Sequence, residues 1–467
     1  MWYNGVASGP LRYSQRAEPS HTIFFRDRSG NVAMVFALMA VVLMLAVGAA
    51  VDFGRWLHAR DQTNDAVDAG LLAGGRWLQT SPDDNAGAIA AAKSMYTQNI
   101  ASRLPVISDN ISFAVSSDGM SLAASGTAYI QTPFLQLANI TKLPLISTGQ
   151  QPIAQAQLAV GGNGGQNLEV AMMLDITGSM AGQKLTDLQT SATDVINILV
   201  WADQSQYTSK VSIVPFTEDI RLPTTTAINA ARGTSLPTST KVSGTTYYLS
   251  DCVVERTGTQ KYTNAAPATN QYVMGHYTTN YTTVNGKKKG VCVVPSPVQP
   301  LTSDKTTLLN AINNLQAGGG TAGHLGTAWA WYTLSPNWNT LWPSNAATAY
   351  GTANLQKIAI LMTDGDYNTQ YSSGGVGVDQ NYVGSCPDAA NGCSGAQALS
   401  QCAAMKAAGI VVYTVGFTIP STDTTAINLL TQCASDPSKF YSAADGTQLQ
   451  QAFRDIAIKL SSLYLSK

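Results

Sequence analysis

Charge is scarce in this chain. Only 12% of its 467 residues are Asp, Glu, Lys or Arg, and the formal net charge is −1. Without a basic surplus nucleic acid is excluded as a partner, because phosphate binding needs a basic surface. Thr, Ser, Asn, Gln and Gly stand where charge is missing, as in many cell-surface proteins. Cysteine is absent before Cys252. The six that follow, Cys252, Cys292, Cys386, Cys393, Cys402 and Cys433, form no C-x-x-C and no Cys/His spacing of a zinc site. The His/Glu constellation of a metallohydrolase is also missing. An even cysteine count in an exported domain favours disulfides. Spacing alone leaves the connectivity open. The pairing read here is 252–292, 386–393 and 402–433, since the first two pairs bracket an insertion and a short loop. The alternative is six reduced, partly buried thiols.

What is present begins with an apolar run. Val32 to Val51 carries no charge and has the length of a bilayer-crossing helix, beyond the core of a signal peptide. Arg12, Arg16, Arg26 and Arg28 precede it, against Glu18 and Asp27. Asp52, Asp61, Asp65 and Asp68 follow, with Arg55 and Arg60. The positive-inside rule therefore places the N-terminus in the cytoplasm and the remainder outside. Cleavage near Gly48-Ala49-Ala50, giving a secreted form, is the alternative. Beyond the run, Trp56, Ala59, Thr63, Ala66, Ala69 and Ala73 recur at helical spacing, and small residues allow close helix packing.

Arg26-Asp27-Arg28-Ser29-Gly30-Asn31-Val32-Ala33, the apolar run, Val51-Asp52-Phe53-Gly54-Arg55 and Asp65-Ala66-Val67-Asp68-Ala69 resemble the N-terminus of TadG-like proteins. That family belongs to the tight-adherence (Flp) pilus-assembly machinery of bacteria. The resemblance implies a single-pass inner-membrane protein whose C-terminal domain is periplasmic or exposed at the cell surface. Related pseudopilins are processed after a Gly that has a Glu five residues on. Here Val35 holds that position, so retention of the membrane helix is expected.

A second helix is read over Asp84–Asn99. Alternating strands are read at 111–115, 122–130 and 154–160. A long helix followed by a small antiparallel sheet is the layout of pilins. Gly161-Gly162-Asn163-Gly164-Gly165 reads as a flexible linker. The expected domains are a basic tail over 1–30, a transmembrane helix over 31–52, a helical stalk with a small pilin-like β segment over 53–165, and a last domain over 166–467. That domain carries insertions at about 218–300 and 366–394.

In the last domain, Leu168-Glu169-Val170-Ala171-Met172-Met173-Leu174 reads as a buried parallel strand. Asp175, Thr177 and Ser179 follow at alternate positions. A glycine-rich loop, Gly318-Gly319-Gly320-Thr321, precedes a helix. A second apolar strand, Ile358–Met362, ends at Thr363-Asp364. With a helix over 183–200 and further strands at 210–216 and 410–416, the alternation of strand and helix predicts a doubly wound, mostly parallel α/β sheet. Ligands bind beyond the carboxyl ends of the strands in such sheets. Carboxylate and hydroxyl oxygens suit Mg²⁺, Mn²⁺ or Ca²⁺. Helix capping and turn chemistry are the competing explanation for the same residues.

The three segments, in this order, resemble the von Willebrand factor A domain and its metal-ion-dependent adhesion site, D-x-[ST]-x-S, then Thr, then Asp. The resemblance implies a divalent cation, Mg²⁺ first, held by Asp175, Thr177, Ser179, Thr321 and Asp364. It also implies an open coordination position for a carboxylate of a protein partner. His324, close to Thr321, reads as packing. Tyr367, Tyr371 and Tyr382 follow Asp364 and are expected beside the metal face, where loops carry recognition. Lys287-Lys288-Lys289 reads as the solvated end of an Asn-Gly hairpin. The expected function is non-enzymatic: an envelope protein that helps assemble or anchor a pilus through this site. The alternatives are a surface adhesin recognising a host or matrix ligand and, more remotely, a metal-dependent hydrolase.

Overall fold

The computed structural model describes residues 30–81, 84–116, 121–146, 152–162, 165–201, 204–293, 295–379 and 386–466. The basic tail and Tyr382 lie outside the described residues. The chain divides into two compact units, residues 1–66, 99–111 and 126–151, and residues 67–98, 112–125 and 152–467.

Helix α1 spans Gly30–Thr80. Among the described residues it is the one helix long and apolar enough to cross a membrane, with a mean hydropathy of 2.8 over its most apolar stretch. α2 spans Asn85–Asn99. The Asp84 carboxylate caps it by accepting from the Gly87 N–H at 2.8 Å, which closes one otherwise unpaired helix-end donor. The small sheet expected after the helices is in fact two. β1 (Val106–Ile107), β4 (Tyr129–Gln131) and β5 (Lys142–Pro144) form one in the order 1-4-5. β2 (Ser112–Val115), β3 (Ser121–Ser125) and β6 (Ala154–Gly162) form the other. The single strand expected over 122–130 is thus split between sheets, because Gly126 turns the chain with a φ of +137°. The glycine linker is corrected too. Gly161 and Gly162 close β6, where the backbone pairs with a strand at the far end of the chain; Asn163 and Gly164 lie outside the described residues.

The large unit holds the predicted α/β layers. In chain order they are β7 (Asn167–Asp175), α3 (Gln183–Leu199), β8 (Ser209–Phe216), β9 (Gln299–Thr302), α4 (Lys305–Asn313), α5 (Gly323–Leu334), β10 (Leu355–Thr363), α6 (Ser394–Ala407), β11 (Val411–Phe417), α7 (Thr424–Cys433), β12 (Phe440–Ala443) and α8 (Gly446–Leu460). The sheet order is 9-8-7-10-11-12, parallel except for β9. Both faces are buried, so the strands are continuous apolar runs. Val170, Met172 and Leu174 of β7 pack on the α3 and α8 side, while Ala171 and Met173 pack on the α5 and α6 side. Glu169 is the exception. It is buried, pairs with Lys357 and accepts from Thr348, so the charge is compensated where it lies. A last strand, β13 (Ser461–Ser466), pairs antiparallel with β6.

The first insertion builds a sheet of Ile220–Arg221, Ser239–Val242, Thr245–Arg256 and Val273–Thr278, and a hairpin of Tyr281–Val284 with Lys287–Gly290. Asn285 and Gly286 both have positive φ, as the tight turn demands. The three disulfides are Cys252–Cys292, Cys386–Cys393 and Cys402–Cys433.

Candidate metal centre

β7 and β10 are neighbours, and Leu174 pairs with Met362. The next step along each strand sets Asp175 beside Thr363, and the step after that brings Asp364. Two carboxylates separated by 189 residues thus meet at the same sheet end through register alone. Asp175 is fully buried. Its Oδ1 accepts from the Thr177 N–H at 2.9 Å and the Thr177 hydroxyl at 2.6 Å. Its Oδ2 accepts from the Thr363 hydroxyl at 2.7 Å. The Thr177 and Ser179 hydroxyls lie 3.1 Å apart, and Ser179 donates to Asp364 Oδ1 at 2.7 Å. Asp175, Thr177, Ser179 and Asp364 therefore form one connected cluster of oxygens. Ser179 lies at its exposed edge.

Thr321 is buried on the adjoining glycine-rich loop. That loop docks on the first through the Gly178 N–H, which donates to the Gly319 carbonyl at 3.0 Å, and the Gly318 N–H, which donates to the Ile176 carbonyl at 2.9 Å. Asn368 fixes Thr321 from the third segment. Its Oδ1 accepts from the Thr321 N–H, and its own N–H donates back to the Thr321 carbonyl, both at 2.9 Å.

Burial, and after it the neighbouring Asp364 charge, pushes the Asp175 carboxyl up to about 6; the hydrogen bonds from Thr177 and Thr363 act in the opposite direction. Two carboxylates forced together in a dry setting call for a cation. Lys184, in the first turn of α3, supplies one charge: its Nζ lies 2.8 Å from Asp364 Oδ2 and remains partly exposed. The donor set is all oxygen and suits a hard divalent ion.

Four contributors escaped the sequence reading. Thr363 was legible as the partner of Asp175 only once the register was known. Lys184 could have been found from its place one helical turn after the loop. Asn368 and Glu218, whose Oε2 accepts from the Gly320 N–H at 3.1 Å, sit at the starts of the two insertions and carried no pattern of their own. His324 is packing, as expected. It is buried, with Nε2 2.9 Å from Glu255 Oε1. The tyrosines are a correction. Tyr367 lies close enough to the Asp175 carboxylate for the two to interact, as expected, but Tyr367 and Tyr371 are buried, because their rings fill core volume beside Phe216 and His276.

Sheet order, strand-end carboxylates and flanking loops define a von Willebrand factor A domain. Residues 291–455 match the von Willebrand factor type A domain family model. The match begins within the last part of the first insertion, so it takes in Thr321 and Asp364, whereas Asp175, Thr177 and Ser179 lie upstream. The N-terminal helix has a match of its own: residues 30–77 match the Flp pilus-assembly TadE/G-like family model. No curated protein sequence matches the chain. Among solved structures, the chain is similar to the vWF domain of the type V pili tip protein Mfa5 from Porphyromonas gingivalis. The identity is 13% and the TM-score 0.35, over 62% of this chain and 94% of that one. It is also similar to the pilus adhesin RrgA from Streptococcus pneumoniae, at 11% identity and TM-score 0.40, over 78% of this chain and 50% of that one. Proximal thread matrix protein 1 from the mussel byssus, with a zinc-occupied MIDAS motif, matches at 10% identity and TM-score 0.30, over 65% and 48%.

Proposed function

We propose that this protein is a membrane-anchored component of a bacterial tight-adherence pilus system that captures a protein partner through a divalent cation. Asp175, Thr177, Ser179, Thr321 and Asp364 would hold the ion, with Mg²⁺ the first candidate and Mn²⁺ or Ca²⁺ next. The observation that carries the reading is the hydrogen-bonded cluster of Asp175, Thr177, Ser179 and Asp364, assembled from two strand ends. A bound cation would supply a Lewis-acidic contact for a carboxylate of the partner. The protein's own part is to hold the oxygens in place. Thr363 and the Thr177 N–H orient Asp175, Ser179 bridges to Asp364, and Asn368 fixes the Thr321 backbone.

The apolar stretch of α1 supports a single membrane crossing. Its match to the TadE/G-like model supports the inner membrane, with the N-terminus cytoplasmic and the α/β domain outside. Pilus or envelope components are the proposed partners, and the role is binding, without catalysis.

Calorimetric titration of the full chain in detergent is expected to detect Mg²⁺ and Mn²⁺, and Asp175→Ala to abolish the signal. Equal affinity in wild type and variant rejects the site. Capture of envelope proteins by the full chain should appear in Mg²⁺ and vanish in chelator. Capture that ignores chelator rejects the metal-dependent mechanism.

A further inference from the structure

The small unit has a feature that neither the pilus match nor the metal site uses. Directly after the apolar run, Asp52 is a buried carboxylate. Its Oδ2 accepts from the backbone N–H groups of both Phe134 and Leu135 at 2.8 Å. These residues open a short 3₁₀ turn, Leu135–Ala138, that ends at Asn139 in the left-handed conformation. The segment is closed on itself: the Thr132 N–H donates to the Thr141 carbonyl, the Gln136 N–H to the Thr132 carbonyl and the Ile140 N–H to the Leu135 carbonyl. It is thus a rigid clip fastened to α1 by one acid. One turn earlier, Gly48 lets the clip approach. A Cβ built there would lie 2.7 Å from the Phe134 Cβ, closer than side chains tolerate.

Held this way, the clip exposes the wrong side chains for water. Phe134 and Ile140 are each 44% exposed and Leu137 is 76% exposed. Together with α1 they form an apolar groove lined by Val41, Met44, Leu45, Gly48, Phe134 and Leu137. Val41 to Val51 covers about 15 Å of helix at 1.5 Å per residue, half of a hydrocarbon core of about 30 Å. The groove is therefore at the depth of one leaflet.

Two observations decide what fills it. Val41, Val42, Leu43 and Met44 are successive residues, and each is between 56% and 70% exposed. Four in a row point all around a helix, which suits an isotropic apolar medium and not one partner along a stripe. Next to the clip stands an interfacial belt. The Trp56 Nε1–H donates to the Pro144 carbonyl at 2.7 Å, Arg60 lies over the Trp56 ring, and Lys142 lies over the Tyr129 ring. Aromatic and cationic side chains gather at the headgroup level in this way.

We propose that residues 132–141 are a second membrane contact: a wedge clamped to α1 by Asp52, with Phe134, Leu137 and Ile140 among the acyl chains of the leaflet on Asp52's side. The proposal rests on the reading of α1 as a membrane-spanning helix. Because the native cysteines are all paired, one added cysteine can carry a nitroxide without removing any. The full chain, in vesicles of phosphatidylethanolamine and phosphatidylglycerol, is labelled at Leu137→Cys, at Leu43→Cys to report on spanning, and at Val284→Cys as a water-exposed reference. Collisions with oxygen and with a water-soluble nickel chelate are compared. The wedge requires Leu137 to favour oxygen over nickel as Leu43 does. Adding Asp52→Ala should remove that preference at Leu137 while Leu43 keeps it. Nickel access at Leu137 with Leu43 shielded overturns the wedge alone. Leu137 shielded from both reagents means a protein covers the groove, and likewise overturns it. An unchanged preference after Asp52→Ala overturns the clamp. Nickel access at Leu43 overturns the spanning reading itself.

Discussion

Lowering the pH from 7.5 to 5 should weaken divalent-cation binding about tenfold, and Asp175 is the reason. Its carboxyl is pushed from an ordinary 3.8 up to about 6 by burial and by Asp364. The ion needs that carboxylate ionised, so a proton competes for the same oxygens. At pH 7.5 nearly every molecule is ionised, whereas at pH 5 about one in ten is, which is about 1.4 kcal/mol of binding free energy. Stability in chelator should move the opposite way. Between about pH 4 and 6 the folded protein keeps a proton that the unfolded chain has released. Stability therefore falls as pH rises through that window, and the loss is complete above about 6. A displacement of about two pKa units caps the effect near 3 kcal/mol. Saturating Mg²⁺ should restore stability at neutral pH, since ligand that binds only the folded state stabilises it.

The assay is calorimetric titration of the full chain in detergent at both pH values, run in buffers of different ionisation enthalpy so that released protons are counted. Denaturant unfolding in chelator, for wild type and Asp175→Asn, accompanies it. The asparagine has nearly the same shape and no charge to titrate, so its stability should be flat where the wild type slopes. Cation affinity equal at pH 7.5 and 5, or a wild-type slope in Asp175→Asn, refutes the assignment of Asp175.

Lys184→Met should tighten Mg²⁺ binding about fivefold by removing the ammonium that competes for Asp364. That pair is partly exposed, so about 1 kcal/mol is the appropriate scale, and looser binding would show that Lys184 helps to build the site. Replacing Cys252 and Cys292 by serine opens a loop of 40 residues and should cost about 4 kcal/mol in the chain-entropy picture, read as a lower denaturant midpoint; an unchanged midpoint in protein from its native compartment argues against the bridge. Glu255→Ala strips the acceptor from His324, Gln397 and the Tyr371 N–H. It should destabilise by about 3–5 kcal/mol and speed proteolysis within 218–300, and wild-type cleavage kinetics would contradict that role.

The α/β domain was legible because buried parallel strands are short apolar runs between turn residues, a strong local signal. The residues of the candidate site carried local patterns: Asp175, Thr177 and Ser179 fall at alternate positions after such a run, Asp364 follows another, and Thr321 closes a glycine-rich loop. Other features depend on contacts that no local pattern encodes. Thr363 joins Asp175 through sheet register. Lys184 reaches Asp364 from a helix 180 residues away in sequence. The break at Gly126 was hidden because residues 122–130 alternate weakly on both sides of it. The tyrosines of the second insertion misled for a different reason: a loop next to a site can still spend its aromatics on the core, and Tyr367 does so against Phe216.

The two insertions follow β8 and β10, so both leave the sheet from the end that carries the candidate metal residues. They are joined to each other by backbone contacts such as the Tyr277 N–H to Gly375 carbonyl bond at 2.9 Å, by the Tyr262 hydroxyl to the Asn391 carbonyl, and by a buried acid. Glu255 of the first accepts from the Tyr371 N–H of the second, from Asn391 and from Gln397 at 3.1, 2.7 and 3.0 Å. His324 of α5 completes its shell. A buried carboxylate with this many donors is costly to disturb, so the insertions behave as one collar fixed to the sheet. Cys252–Cys292 and Cys386–Cys393 brace its two halves separately. The proposed cation site would offer generic chemistry, since any exposed carboxylate could complete an ion's shell. Under that proposal, discrimination between partners would fall to the collar, through shape and polar contacts at the rim. Exchanging the collar for that of another such domain should therefore change which partner is captured while leaving Mg²⁺ affinity intact. A swap that alters cation affinity and keeps the partner would place specificity at the ion instead.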